Sequence, residues 1–348
     1  MRPDLFLQPF FVAFALTSSL CLLVLLVPAL RAHIWRRGGR HAGKARLSRL
    51  GGVTLCLGFL AAVLLDRNLV ISREILGLLI GGVVVTIFGL WDDFRELSWK
   101  AQGFFQAVIT AVLFLFDIRI TALKIPFGET YFLSYEGVLS VVLGFGLLLL
   151  WMALVLNAVN WLDGLDGLLG SISLITFCTV FFLSLKPEVN QPPVAIIAII
   201  AAGAVAGFLF FNLHPARLLA GTSGSLFIGF LIAVLAIIAG TKIATALLVL
   251  SLPVADALWV IVERFRARVS VFQPDQRHLH YKLRHLGWSE GRIAWFFALV
   301  TGIIALIALS TETLGKFIAA LLIFSLIFSV LFFVAHKANT DDRAHPKV

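Results

Sequence analysis

The sequence predicts an all-α polytopic membrane protein, and three observations carry that prediction. The chain has 348 residues, 60% hydrophobic and only 14% charged, and its mean hydropathy is +1.00. Apolar stretches near the ~20 residues that cross a bilayer as a helix recur from one end to the other. Between them the polar residues gather in a few short connectors. Without water, a spanning backbone must satisfy its own hydrogen bonds, so the stretches read as helices.

Eleven stretches qualify: about 5–30, 50–65, 75–91, 101–116, 137–156, 167–185, 193–211, 223–240, 243–262, 292–310 and 317–335. The first is too long for a signal peptide, its basic residues follow it, and no small-residue cleavage site stands out, so it reads as a retained helix. The second and fourth are short. The connector "DIRITALKIPFGETYFLSYE", 117–136, alternates around a "PFGE" turn and predicts a hairpin. Cys21, Cys56 and Cys178 sit inside apolar runs and read as packing residues. Residues 1–348 form a single integral-membrane domain in this reading, with no separate soluble domain and no internal repeat.

Eleven spans alternate the connectors between two sides. One side collects 31–49, 92–100, 157–166, 212–222, 263–291 and the tail 336–348, with 19 of the 28 Lys and Arg residues. The positive-inside rule makes that side cytoplasmic, which puts the N-terminus outside and the C-terminus in the cytoplasm. The net charge of +9 points to anionic headgroups or an anionic substrate. No nucleic-acid motif accompanies it.

Four polar clusters need explaining, and all fall on that side. "GLWDDFRELSWKAQ" places Asp92 beside Asp93. A solvated helix end explains such a pair, and so does a hard cation such as Mg²⁺ shared with phosphate oxygens. "LNAVNWLDGLDGLLG" spaces Asn157, Asn160 and Asp163 three apart, one stripe on a helix, with Asp166 following. A helix cap needs one such residue, not four, and ionisable groups there are functional by default. "FNLHPARLLAGTSGSLFIGF" gives a small, hydroxyl-rich helix start around Thr222 that suits phosphate or merely close packing. "FQPDQRHLHYKLRHLGWS" crowds Arg277, His278 and His280 into a short loop. Zinc is disfavoured for want of further ligands; cationic and imidazole donors to a phosphate-rich substrate fit better than an ordinary basic loop. Together the clusters suit metal-assisted phosphoryl chemistry between a soluble anionic donor and a membrane-embedded acceptor.

Those motifs, joined by "RLGGVTL" before them and "LPVADALWV" between the third and fourth, resemble in content and order the polyprenyl-phosphate N-acetylhexosamine-1-phosphate transferases, the family that includes the lipid I synthase of peptidoglycan. The resemblance covers most of the chain. It implies transfer of an N-acetylhexosamine-1-phosphate, N-acetylglucosamine-1-phosphate first among them, from a UDP-sugar to undecaprenyl phosphate. UMP is released and an envelope glycan is begun in a bacterial-type plasma membrane, at its cytoplasmic face. It implies Mg²⁺, with Mn²⁺ as the alternative, and is compatible with a homodimer. Carried over by motif, Asp92, Asp93 and Asp163 are the catalytic carboxylates, Asp92 being one candidate to deprotonate the lipid phosphate. Asp92, Asp93, Asp163 and Thr222 form the metal set. Lys44, Asn157, Asn160, Asp166, Arg277, His278 and His280 bind substrate, Lys44 and Asp166 toward the nucleotide and the histidines toward diphosphate or sugar. "HLHY" resembles the glycan-initiating branch rather than lipid I synthases.

The chain departs from the family pattern at three positions. Thr222 stands where an Asp ligand to Mg²⁺ is usual, Leu219 where an aromatic is usual, and Tyr281 where a last His is usual. A hydroxyl can ligate Mg²⁺ but brings no charge. The rival readings are a non-catalytic homologue that binds the lipid or the nucleotide sugar, a phospho-MurNAc-pentapeptide transferase, and a transporter. A transporter would place polar groups at mid-membrane, open to both faces.

Overall fold

A computed structural model describes residues 4–31, 47–124, 128, 130–240, 242–270 and 276–344. Within them all eleven apolar stretches are helical. The helices are α1 Asp4–Leu26, α2 Pro28–Arg31, α3 Gly51–Leu65, α4 Arg73–Arg95, α5 Trp99–Leu115, α6 Val138–Leu162, α7 Leu168–Ser184, α8 Pro192–Asn212, α9 Gly221–Ile238, α10 Ile243–Val249, α11 Ser251–Arg266, α12 Leu279–His285, α13 Glu290–Ser310 and α14 Thr313–Ala344. Seven are long and apolar enough to cross a membrane, eight if α10 and α11 count as one bent span, and α3, α5 and α7 are shorter apolar helices. The protein is thus a multi-pass helical membrane protein.

Helix boundaries follow local chemistry. Ser72, Ser98 and Ser289 cap α4, α5 and α13, each hydroxyl accepting an N–H of the first turn. The first stretch breaks before Pro28. The stretch 243–262 is two helices bent by 75°, because in a continuous helix the Pro253 ring would strike the Val249 carbonyl. In the 117–136 connector, β1 Ala122–Lys124 pairs antiparallel with β2 Thr130–Phe132.

Several boundaries differ from the sequence expectation. Helix α6 runs through Leu162, so Asn157 and Asn160 stand on its last turns, not in a loop 157–166. Helix α4 likewise runs past Asp92 and Asp93 to Arg95. The tail from 336 continues α14 to Ala344.

Helix α9 forms the centre, packed by α3, α4, α6, α7, α8 and α10. Every residue from Ser223 to Ile237 is buried, the pattern of a helix that is apolar on all sides. Helix α8 packs on α1 through small residues: a Cβ on Gly203 would lie 2.3 Å from the Phe10 carbonyl oxygen. Such close approach is how helices associate where lipid is as apolar as they are. Helix α14 is little buried over residues 313–335, with Leu321, Leu322 and Leu326 on its surface. The start of α9 therefore lies at one end of the bundle, framed by the ends of α4 and α6.

Candidate active site

Asp93 fastens α4 to α9. Its side chain is 2% exposed; Oδ1 accepts the Thr222 N–H at 2.9 Å and Oδ2 accepts the Ser223 N–H at 3.0 Å. A carboxylate there satisfies N–H groups that a helix start leaves open and complements its dipole. Gly221 must be glycine: its φ is +69°, and a Cβ would sit 2.6 Å from Asp93 Oδ2. Asp92 turns elsewhere. Its Oδ1 accepts the Leu97 N–H at 2.9 Å and lies 3.3 Å from Gln102 Nε2.

The approach to α9 is zipped to the segment before α3. Leu219 N–H donates to Ser48 O, Gly51 N–H to Leu219 O and Gly52 N–H to Ala220 O. The "RLGGVTL" motif thus positions the small-residue loop. Leu219 is buried in this zipper.

Helix α6 supplies the next wall. Ser225 Oγ donates to Asn160 Oδ1 at 2.7 Å, tying α9 to the polar stripe. Asn157 Nδ2 donates to the Ala153 carbonyl and lies 3.5 Å from Gln106 Oε1. Asn157, Asn160, Thr222, Gln102 and Gln106 line the polar part of a narrow cleft whose remaining walls include Val85, Phe88 and Leu226. Asp163 ends α6 and is buried. Beside it, a Cβ on Gly164 would lie 2.4 Å from His280 Nε2 and 2.8 Å from the Tyr281 hydroxyl. The missing side chain at 164 is what lets the histidine helix α12 close on the end of α6.

His278 and His280 are buried and stack nearly parallel, with planes 7° apart and centroids 5.6 Å apart. Arg277 donates to the Glu263 carbonyl at 3.3 Å. Asp166 sits in a second cluster. Its Oδ2 lies 3.0 Å from His214 Nδ1 and accepts the Ala216 N–H at 3.0 Å, while its own N–H donates to Glu290 Oε2 at 3.3 Å. Ligand atoms of Asp166, His214 and Glu290 all fall within 4.8 Å of one another. His214 and Glu290 were not singled out from the sequence, although His214 lies within the third motif and Glu290 directly follows the fourth. Lys44 lies outside the described residues.

All four polar clusters are thereby brought to one end of the bundle: Asp93 meets Thr222, Asn160 meets Ser225, Gly164 meets His280, and Asp166 meets His214. Residues 75–240 match the family described as glycosyl transferase family 4. The chain is 33% identical over 293 residues to the decaprenyl-phosphate N-acetylglucosaminephosphotransferase of Mycobacterium leprae, covering 76% of this chain and 73% of that one. The chain belongs to glycosyl transferase family 4. It is also 24% identical over 288 residues to a probable undecaprenyl-phosphate N-acetylglucosaminyl 1-phosphate transferase of Bacillus subtilis, covering 81% of this chain and 78% of that one. With the phospho-N-acetylmuramoyl-pentapeptide-transferase of a Geobacillus species it shares 30% identity over 292 residues, covering 78% and 86%. Membership in this family makes the chain a membrane-embedded phosphosugar transferase.

The donor set can be tested against Mg²⁺. The polar residues that line the pocket are Gln102, Gln106, Asn157, Asn160 and Thr222, and Asp92 contacts Gln102. No thiol or imidazole lines the pocket among the described residues. No carboxylate lines it either, so a hard cation such as Mg²⁺, held as a rule through one or two carboxylates and substrate phosphates, fits here only with the help of the neighbouring Asp92.

Proposed function

We propose that the protein transfers N-acetylglucosamine-1-phosphate from its UDP-sugar to undecaprenyl phosphate, releasing UMP and starting an envelope glycan. The observation that carries this reading is the chain of contacts Asp93–Thr222–Ser225–Asn160, which sets the carboxylate-bearing ends of α4 and α6 beside a pocket half amide and half apolar. Such a pocket suits an anionic head on an apolar tail. Family relatives named as N-acetylglucosamine-phosphate transferases support the sugar.

In this reading Asp92 and Asp163 face the reacting phosphates, and Asp93 holds the Thr222 backbone in place. Asn157 and Asn160 orient oxygen atoms of the head group. Asp166, Lys44 and Arg277 serve the nucleotide, and His278 and His280 the diphosphate and sugar. Asp92, Asp163 and Thr222 hold the cation, with Asp93 behind Thr222. Bound there, Mg²⁺ or Mn²⁺ neutralises the charge that keeps two phosphate anions apart. Eleven spans, an outside N-terminus, a cytoplasmic C-terminus and an active face on the cytoplasmic side of the plasma membrane complete the proposal, supported by the basic connectors. A homodimer is its compatible assembly.

The test is UMP release by the purified protein in detergent with undecaprenyl phosphate and UDP-N-acetylglucosamine, with and without Mg²⁺. Product that needs lipid and cation and vanishes in Asp92→Asn supports transfer. No UMP from a panel of UDP-hexosamines supports the second reading, which Thr222 favours: a homologue that binds the lipid or nucleotide sugar without turnover.

A further inference from the structure

We infer that Asp256, on α11, is a positioning residue that sets the tautomer and orientation of His278. The inference rests on the proposed role of His278 at the substrate. An acid inside an apolar helix is costly and calls for a partner. Asp256 is 3% exposed amid the buried Val254, Ala255 and Ala257. Its partners both come from the returning loop: Oδ2 lies 2.9 Å from His278 Nδ1, and Oδ1 accepts the Leu279 N–H at 2.8 Å.

The two contacts do different things. The Leu279 contact satisfies a backbone donor at the start of α12. The His278 contact fixes which ring nitrogen carries the proton, because a carboxylate can only accept. Nδ1–H therefore points at Asp256, and Nε2 is left with a lone pair that can accept from a substrate hydroxyl. The ring is 5% exposed and held further by Trp161, 5.5 Å away, and by the parallel His280. Arg264 lies over the other partner of this stack, 5.8 Å from the Trp161 ring. An imidazole locked in one tautomer by a buried acid offers its far nitrogen without reorganisation.

Asp256→Asn separates the two contacts. Asn Oδ1 can still accept the Leu279 N–H, but its NH₂ then faces His278 Nδ1 as a donor and favours the opposite tautomer. The first measurement is ¹⁵N NMR of the full chain labelled at histidine, with the His278 signals identified by their loss in His278→Gln. The native protein is expected to carry its His278 proton on Nδ1, and Asp256→Asn to move it to Nε2. An Nε2–H tautomer in the native protein overturns the inference without any variant, and so does an unchanged tautomer in Asp256→Asn. In the UMP assay, Asp256→Asn is expected to lower kcat about 10- to 100-fold while the unfolding midpoint moves by less than about 4 °C. Added to His278→Gln, it is expected to cost nothing more; losses that multiply would make Asp256 an independent structural cap. If the native chain releases no UMP but the tautomer moves as expected, the transferase reading fails and the Asp256–His278 pairing stands.

Discussion

Replacing Asp93 by Asn tests the joint that sets Thr222 in the pocket. Both carboxylate oxygens are in use, one on the Thr222 N–H and one on the Ser223 N–H. Asn offers a single carbonyl oxygen, and its NH₂ meets the second backbone N–H as donor against donor. The change removes one charge-assisted hydrogen bond, about 1.5–3 kcal/mol, and strands a buried donor, about 1–3 kcal/mol. The expected loss of stability is about 3–5 kcal/mol. Asp92 is the internal control. It is half-buried and accepts through Oδ1 alone, so Asp92→Asn keeps its bonds through the amide carbonyl and should cost under about 1 kcal/mol. Unfolding of both variants by heat and by denaturing detergent, beside UMP release, gives the readout. Both should lose turnover, and only Asp93→Asn should lose stability. An Asp93→Asn protein that unfolds at the native midpoint would refute the argument that this carboxylate holds the start of α9.

Three further outcomes are expected. Thr222→Asp adds a charge to the proposed cation shell and should lower the Mg²⁺ needed for half-maximal UMP release about 10-fold or more; an unchanged requirement would remove residue 222 from that shell. Gly164→Ala puts a methyl group 2.4 Å from His280 Nε2, and the resulting shift of α12 should cut kcat/KM by about 100-fold, whereas a native rate would uncouple this contact from turnover. Gly203→Val drives into the Phe10 carbonyl and should destabilise the protein by about 1–3 kcal/mol, read in unfolding midpoint, with the KM of the surviving fraction unchanged; a native midpoint would mean α1 can move off α8 freely.

The helices were legible because each is an apolar run, and the stripe Asn157–Asn160–Asp163 was legible because it keeps helical spacing. What the sequence obscured was where the helices end. Asn157 and Asn160 carry polarity that reads as a loop, yet Ser225 and Gln106 give them partners that let α6 continue. The break in 243–262 could have been read from Pro253. Asp256 had a signal as well, a lone acid in "LPVADALWV", but a motif quoted for its likeness hid the physical oddity of a charge in an apolar helix. His214 and Glu290 had almost none, since a His before Pro and a Glu after a capping Ser are ordinary loop and helix-start residues. They acquire meaning only when folding brings them to Asp166.

The division of labour between backbone and side chain explains how position 222 can depart from the family pattern without dismantling the site. Asp93 grips residue 222 by its N–H, Gly221 supplies the left-handed turn, and Ser225 ties the same turn to Asn160. None of these contacts uses the Thr222 side chain. The pocket geometry is therefore indifferent to whether residue 222 is Asp or Thr, while its charge is not. An Asp there would add a second acid beside Asp93, a carboxylate already buried, and such crowding is comfortable only with a cation present. With Thr, the pocket is lined by uncharged residues along α5, α6 and α9. On this argument the native chain should hold the cation chiefly through substrate phosphates, so that metal and nucleotide sugar bind together rather than in sequence. Calorimetric titration of Mg²⁺ into the protein, with and without UDP-N-acetylglucosamine, reads this directly. Binding only in the presence of the nucleotide sugar is the expected result, and tight Mg²⁺ binding to the protein alone would show that the other carboxylates suffice and that the neutrality of residue 222 is immaterial.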